Sequence, residues 1–398
     1  MTETVRGQSW SQRILSEVAL RWGARLGIAW IGLLTLLAVF APLLANSHPL
    51  LVQDADGWHS PMLVHLGPAD TTLLGIFFLA LLLVLLPGRR LSRFLAWLGG
   101  AVAVGILSWT LVSPPSLVVY EQYREAEAAG EYQRVIRAPI PYSAKDYLRD
   151  YADTGLESPR ASEARMHWFG TDENGADVLS RMIHATRIAL SIGFIATGIA
   201  LAIGVVLGGL MGYFSGIIDI IGMRLVEIFE AIPTLFLLLT FVAFFGRSLY
   251  LMMLIIGLTS WSGYARYVRA EFLRLRQQDF VQGAIASGLP LPSILFRHML
   301  PNGMAPILVA ASFGVASAIL AEATLSFLGL GLVDDPSWGQ MLNQAVQSST
   351  FNWWMAAFPG GAIFLTVFAY NLIGEALRDA VDPHVQSGKA KIPAKGTV

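Results

Sequence analysis

Residues 279–301 read DFVQGAIASGLPLPSILFRHMLP and form a polar, arginine-containing interruption between long apolar segments. Apolar residues recur at helical spacing through 271–287, which predicts an amphipathic helix ending at Gly288. Glycine adopts a positive φ at little cost and so permits a sharp reversal of the chain. A second short apolar stripe at 291–299 is expected to end at Pro301. The stretch predicts either two short helices at a rigid corner or an ordinary connection lying on a membrane.

Composition indicates that lipid surrounds much of this chain. Of its 398 residues, 55% are hydrophobic and 14% are charged, whereas a soluble domain carries about a quarter charged residues. A soluble protein with buried helices would need more polar surface than this. The formal net charge of -1 gives no reason to expect nucleic-acid binding. The absence of Cys excludes disulfides, thiolate catalysis and cysteine metal sites.

Eight segments are apolar enough to be transmembrane helices, each of which needs about 20 residues. The first apolar run is longer than a signal-peptide core of about 7–15 residues, so we expect it to be retained. The predicted spans are 26–45, 71–86, 94–112, 188–213, 225–245, 249–268, 304–323 and 356–373. The expected fold class is therefore an all-α, polytopic integral membrane protein with about eight transmembrane helices.

Basic residues predict which loops face the cytoplasm. They cluster before the first span, between the second and third, after the sixth, and after the last. These residues are Arg6, Arg13, Arg21, Arg25, Arg89, Arg90, Arg93, Arg269, Arg274, Arg276, Arg297, Arg378, Lys389, Lys391 and Lys395. With an even number of spans, all four groups lie on one side, so both termini are expected in the cytoplasm.

The spans divide the chain into six predicted parts. They are a cytoplasmic segment 1–25, the first transmembrane helix 26–45, an outer loop with an inserted transmembrane hairpin at 46–112, an extracytoplasmic region with an interfacial helix at 113–187, a core at 188–376 containing the 271–301 loop, and a cytoplasmic tail 377–398. The hairpin has no function that the sequence assigns.

Several motifs occur in a fixed order along the chain. They are ANSHPLLV at 45–52, WFGTDENGADVLSRMIHATRIAL at 168–190, WSGYARYVR at 261–269, FRHMLPN at 296–302 and AEATLSFLGLG at 321–331. This ordered set resembles the permeases of ABC importers for dipeptides and oligopeptides. Within that family the chain is most similar to the second permease subunit, of the microcin C and oligopeptide type.

The resemblance implies a type I ABC importer permease core whose 271–301 loop is the coupling loop, where an ATPase subunit docks. The residues implied in coupling are Gln282, Gly283, Ala284, Gly288, Arg297 and Pro301, with Ala284 expected on the apolar docking face. Two of them depart from the family's Glu-Ala-Ala motif. Gln282 lacks the acidic charge, and Gly283 should cost the helix about 1 kcal/mol relative to Ala.

The resemblance also implies an extracytoplasmic signature, formed by Gly170, Thr171, Asp172, Gly175, Asp177, Arg181 and Arg187. From the residues themselves, Asp172 is expected to cap a helix, while Arg181 and Arg187 are expected at the level of lipid headgroups. The signature could contact a binding protein or simply lead the chain into the membrane.

A core motif of Glu322, Gly329 and Gly331 is implied in the same way. A carboxylate near a membrane is costly and often functional, so Glu322 could line a path or relay protons. Because Thr324 and Ser326 lie beside it, a structural hydrogen-bonding role is favoured.

The expected partners are a homologous second permease, ATP-binding subunits, an extracytoplasmic substrate-binding protein and membrane lipid, with no nucleic acid. The chain has no phosphate-binding GxxxxGK sequence and no HExxH motif, so no catalytic or metal-ligating residue is assigned. ATP and Mg are expected in the partner ATPase, no cofactor is expected in this chain, and the location implied is the bacterial inner membrane. The alternatives are a permease for another small solute such as nickel, an ion-gradient-driven secondary transporter, or a membrane-bound enzyme.

Overall fold

The computed structural model is built almost entirely from helices, which confirms the predicted fold class. It describes residues 10–87, 90–115, 118–151, 155–161, 165–332 and 335–381. Arg6, Arg89, Lys389, Lys391, Lys395 and the tail after 381 lie outside these described residues. The helices are α1 (Trp10–Leu20), α2 (Trp22–Leu44), α3 (Pro61–Val64), α4 (Pro68–Leu85), α5 (Arg90–Leu111), α6 (Glu121–Ala128), α7 (Val178–Phe214), α8 (Gly216–Ala231), α9 (Thr234–Phe245), α10 (Leu249–Arg276), α11 (Asp279–Ala286), α12 (Leu300–Leu325), α13 (Trp338–Gln347) and α14 (Trp353–Val381).

Among the described helices, six are long and apolar enough to cross a membrane: α2, α4, α5, α7, α12 with its flanking turns, and α14. The pair α8 and α9, bent by 81°, makes a seventh if the two helices form one span. Eight spans were predicted. If the bent pair is one span, the remaining difference is α10, which is long enough but less apolar, because its second half carries Arg266, Arg269 and Arg274.

A small sheet was not foreseen from the sequence. Strands β1 (Leu51–Asp54), β2 (Gly57–His59) and β3 (Arg134–Ile136) form an antiparallel sheet in the order β2-β1-β3. Val52 pairs with His59 on one side and with Val135 on the other. The chain therefore leaves the sheet, forms α4, α5 and α6, and returns to pair beside β1.

The chain divides into two compact units. The first unit comprises residues up to 32, then 188–333 and 360 onward, and the second comprises 33–187 and 334–359. In the first unit, a cluster around Ile192, Met252 and Ile256 joins α7 to α10, α9 and α12. In the second, Ala41 of α2 and Ile183 of α7 share a cluster with Ile140 and Tyr142.

Glycine spacing explains how closely α7 packs on α10. Gly204, Gly208 and Gly212 recur every fourth residue on one face of α7. A Cβ at Gly204 would lie 2.9 Å from the backbone nitrogen of Ala265, and one at Gly212 would lie 2.7 Å from the carbonyl of Arg269. Small residues at such spacing let helix backbones approach each other within a membrane.

Candidate functional site

The polar interruption at 271–301 folds into a compact corner, called here the coupling corner. α10 ends at Arg276 and α11 begins at Asp279, so the single helix predicted over 271–287 is wrong. The junction is held by Gln282, whose Nε2 donates to the Arg276 carbonyl at 2.7 Å. An ionised Glu could only accept hydrogen bonds, so the departure from the Glu-Ala-Ala motif has a structural use. Gly283 is exposed, and a Cβ there would meet nothing within 4 Å.

Gly288 makes the predicted turn with a φ of +70°. Because a Cβ there would meet nothing within 4 Å, the backbone conformation rather than crowding requires glycine. The chain then passes through a π-helical turn at Ser293–Met299 directly into α12. Pro301 lies in the first turn of α12 and does not end a helix, contrary to the prediction. A helix start tolerates proline because the first amides have no helical partner.

The coupling corner has a buried face and an exposed face. Val281 (0% exposed), Ala284 (7%) and Met299 (0%) pack with Phe272 of α10. Ala284 therefore belongs to the inner face, and its expected place on the docking face is wrong. The large apolar side chains on the exposed face are Phe280, Ile285, Leu289 and Phe296, between 37% and 51% exposed. An exposed apolar patch of this kind is typical of a surface that binds another protein.

Two arginines near the end of α10, next to and within the coupling corner, contact α8 and the residue before it. Arg269 of α10 makes a forked contact with Asp219 of α8, in which Nη2 lies 2.6 Å from Oδ2. Arg276 Nη1 donates to Ser215 Oγ at 2.8 Å. Arg297 is exposed on the corner itself. Because forked arginine contacts fix orientation as well as distance, the Arg269–Asp219 pair fixes α8 against α10.

A groove between α10 and α12 is the second feature of the first unit. It consists of two adjacent cavities of about 1000 and 410 Å³ that share Tyr267, Ala310 and Phe313. Its polar and charged lining residues are Thr197, Ser260, Tyr264, Glu271, Arg274, Asn302, Ser317 and Arg378. Those on α10 recur at intervals of three or four residues, which places them on one face of the helix.

The lining distinguishes this groove from other cavities of the same unit. Two smaller cavities, of about 190 and 240 Å³, are lined almost wholly by apolar side chains. Such a lining suits contact with lipid tails, whereas charged side chains in a membrane protein usually face a water-filled cavity or the protein interior. Tyr267, which both halves of the groove share, is 62% exposed. The groove therefore has the surface chemistry for passage of a polar solute.

The signature residues at 170–181 form a buried, hydrogen-bonded cluster within the second unit. Asp172 Oδ1 accepts from the amides of Asn174 and Ala176, both at 2.9 Å, and its other oxygen pairs with Arg181. Asp177 caps α7 by accepting from Ser180 N at 2.7 Å and also contacts His167 Nδ1 at 2.8 Å. The helix cap is therefore Asp177, and the prediction of Asp172 is wrong.

Burial also corrects the expected exposure of the signature. Thr171, Asp172, Asp177 and Arg181 are between 0% and 4% exposed, so Arg181 does not lie among lipid headgroups and these four side chains present no surface to a binding protein. Gly170 and Gly175 have φ values of +74° and +75°. Trp354 Nε1 donates to the Thr171 carbonyl at 3.0 Å. The signature thus holds the start of α7 to the start of α14 inside the second unit.

One ion pair that includes a signature residue was not predicted from the sequence. Arg187 of α7 and Asp70 of α4 form an ion pair whose side chains are 15% and 19% exposed. The pairing contradicts the expected headgroup position of Arg187. The sequence contains one signal for Asp70, which is an acidic residue just before a long apolar run, the usual place of a helix capping group. In the structure its carboxylate accepts from Gly67 N in this way. The partner, 117 residues away, could not be found by spacing.

Glu322 has the structural role that its neighbours favoured. It is 2% exposed, and Ser326 Oγ donates to its Oε1 at 2.6 Å. The chain then forms a π-helical turn in which Gly329 has a φ of +79°. A Cβ at Gly331 would lie 2.7 Å from the Ser326 Cβ. Glycine at 331 therefore lets the chain fold closely over the Glu322–Ser326 contact.

Comparison with known proteins gives consistent matches. Residues 204–387 match the family of binding-protein-dependent transport system inner membrane components. The dipeptide transport system permease protein DppC of Alkalihalophilus pseudofirmus is 38% identical over 60% of this chain and 78% of its own length. The oligopeptide permease OppC of Haemophilus influenzae is 38% identical over 61% and 77%. The glutathione permease GsiD of Pectobacterium atrosepticum is 39% identical over 62% and 81%.

Among solved structures, the inward-facing MetNI methionine ABC transporter covers 51% of this chain and 98% of its own, at 18% identity and a TM-score of 0.43.

Proposed function

The chain belongs to the family of dipeptide and oligopeptide ABC transporter permeases, and we propose that it forms one membrane half of an ATP-driven peptide importer. A homologous permease forms the other half, and ATP-binding subunits carry the ATP and Mg. A substrate-binding protein delivers the peptide from outside. The permease itself moves the cargo without bonding to it, in the inner membrane, with both termini in the cytoplasm.

The exposed apolar face of the coupling corner carries this proposal. The corner is rigid because Gly288 makes a tight turn and Gln282 closes the helix junction. Its inner face is packed on Phe272, so a partner that presses on Phe280, Ile285 or Leu289 moves α10 with it. Such rigid-body movement of packed helices is how alternating access is produced in this kind of transporter.

The α10–α12 groove is the surface along which the peptide passes in this proposal. Its serine, threonine and tyrosine hydroxyls suit the polar main chain of a peptide, and Phe313 and Ala310 offer contact to its side chains. Arg274, Glu271 and Arg378 lie in the larger cavity, where they can meet the charged ends of a peptide. The second permease covers the groove from the other side.

The test uses the complete transporter, reconstituted in vesicles with its binding protein and a labelled peptide. Ile285→Asp places a charge on the exposed docking face, so the ATPase should no longer co-purify and uptake should fall at least about tenfold. Val346→Asp is the matched control, because Val346 is an exposed aliphatic residue on α13, and it should leave ATPase binding unchanged. Uptake that persists without ATP and collapses with an ionophore would overturn the proposal.

A further inference from the structure

Arg187 is a charged side chain within the long apolar helix α7. Its side chain is only 15% exposed, and a charge in such a place is costly unless its donors and its charge are both matched. Within the second unit its side chain donates three hydrogen bonds, two to backbone carbonyls of α2 and one to Asp70 of α4. Arg187 therefore links three helices, because it lies on α7 and contacts both α2 and α4.

The contact with α2 has a specific cause. α2 contains Pro42 in its interior, and a proline has no N–H to donate to the carbonyl four residues earlier. That carbonyl belongs to Ala38, and Arg187 Nε donates to it at 2.6 Å. A freed carbonyl within a membrane helix must be satisfied by another group. Arg187 therefore completes the hydrogen bonding of the proline-interrupted helix, with a longer contact of 3.5 Å to the Val39 carbonyl.

The counter-charge comes from the inserted hairpin formed by α4 and α5. Asp70 Oδ1 pairs with Arg187 Nη1, while its Oδ2 accepts from Gly67 N at 2.8 Å. Each carboxylate oxygen thus has one partner, and the cap fixes the side chain at the start of α4. The pair is partly buried, and removing one member of a shielded ion pair is destabilising because the other charge is left uncompensated.

The rest of the hairpin has few contacts that could replace this one. α4 and α5 pack on each other, with a Cβ at Gly75 or Gly100 overlapping Val104 or Leu79. No residue of α4 is buried, and the apolar surface of the pair suits lipid. Aromatic contact with α2 is made by Phe77, whose ring centre lies 5.0 Å from that of Phe40.

We propose that the α4–α5 hairpin is a working part of the permease, because its Asp70 supplies the counter-charge that allows Arg187 to hold the carbonyl freed by Pro42. Arg187 and Asp70 are positioning residues in this scheme, since they fix α2 and α4 against the start of α7. The hairpin is thereby more than a lipid-facing addition to the membrane domain.

Engineered cysteines test docking of the hairpin independently of transport, because the chain has no Cys of its own. In the assembled transporter, Phe40→Cys with Phe77→Cys should cross-link. Adding Asp70→Asn should abolish the cross-link and lower uptake at least about tenfold. Asp56→Asn, at an exposed turn of the same unit, is the control and should change neither. Retention of either the cross-link or uptake in Asp70→Asn would overturn the proposal. An intact cross-link in a parent transporter that imports no peptide would count only against the peptide-import function.

A double-mutant cycle covers the case in which Asp70→Asn fails to accumulate in the membrane. Asp70→Asn with Arg187→Gln removes both charges and retains an amide donor near Ala38, so accumulation and cross-linking should recover. A double variant no better than Asp70→Asn alone would contradict a charge-compensating pair. Pro42→Ala restores the backbone N–H that can bond to the Ala38 carbonyl, so it should reduce the fall in accumulation and cross-linking caused by Arg187→Gln. If the fall is the same with and without Pro42→Ala, the hydrogen bond to the Ala38 carbonyl is not what Arg187 contributes.

Discussion

Single residues in this protein act through backbone conformation and burial more than through charge. Gly288 adopts a conformation that side chains resist, Gln282 donates where the expected Glu could not, and Ala284 lies inside a packed face. Each of these residues shapes the coupling corner through the chain's own contacts and conformation. The residues that would touch one are the exposed apolar side chains beside them.

Gly288→Val should impair coupling while Gly288→Asn should largely preserve it. A left-handed conformation costs a β-branched residue about 1–2 kcal/mol, whereas Asn tolerates it. There is no steric barrier to either side chain, since nothing lies within 4 Å of a Cβ at this position. Co-purification of the ATPase and peptide uptake measure the effect. Equal behaviour of the two variants would show that the turn does not depend on glycine.

His48 should make the second unit sensitive to acid. Burial, with a smaller contribution from the positive charge of nearby His65, lowers the pKa of His48 from 6.5 to about 4. The two rings stack with centres 3.8 Å apart, and Tyr123 lies 5.4 Å away. Because the unfolded chain binds a proton that the folded state does not, stability is complete above pH 6.5 and falls as the pH drops toward 4.

Thermal unfolding of the purified transporter between pH 7 and pH 4 measures this dependence. His48→Gln should flatten the profile, because it removes the group whose protonation differs between the two states. His59→Gln is the control, since His59 is half exposed. A profile as steep in His48→Gln as in the parent would contradict the assignment.

At the scale of elements, close packing of α7 on α10 and the break between α8 and α9 determine how the helices of the first unit are arranged. The glycine face of α7 brings α10 near enough for their backbones to touch, and α10 carries both the groove and the coupling corner. The bend between α8 and α9 follows from Pro233, which lies between them. α10 is packed tightly on α7 along one side, whereas Tyr267 on its groove side is exposed, so the proposed coupling movement would be passed along this helix.

Gly208→Leu should separate α7 from α10. A Cβ at Gly208 would lie 2.9 Å from Val268 Cβ and 3.0 Å from the Ala265 carbonyl carbon, and overpacking of this kind costs about 1–3 kcal/mol. Gly198→Leu is the matched control on the same helix, since nothing lies within 4 Å there. Melting temperature and uptake should fall in the first variant alone. A loss of equal size in both would mean that helix propensity, and not packing, explains the effect.

At the scale of the whole molecule, the family match at 204–387 covers most of the first unit but only residues 334–359 of the second. The described helices provide six spans, or seven with the bent pair. The predicted orientation rests on the arginines in short loops. It places the α4–α5 connection in the cytoplasm and the segment after α6 outside.

Cysteine labelling of whole cells tests this orientation. Glu131→Cys, at an exposed position after α6, should react with a membrane-impermeant maleimide in intact cells. Ser92→Cys, at the start of α5, should react only after the membrane is opened, because the basic residues around it are retained inside. Labelling of Ser92→Cys in intact cells would show that α4 and α5 do not both span the membrane.

The sequence by itself determined the membrane class, most of the long helices, the turn at Gly288 and the family. These features depend on local properties: runs of apolar residues, a glycine at a required conformation, and ordered motifs. Only the tertiary structure decided that Ala284 faces inward, that Asp177 and not Asp172 caps α7, and that Arg187 pairs with Asp70. The physical reason is that burial and ion pairing depend on which distant segments meet. Arg187, Pro42 and Asp70 lie on three helices, and no spacing along the chain records their contact.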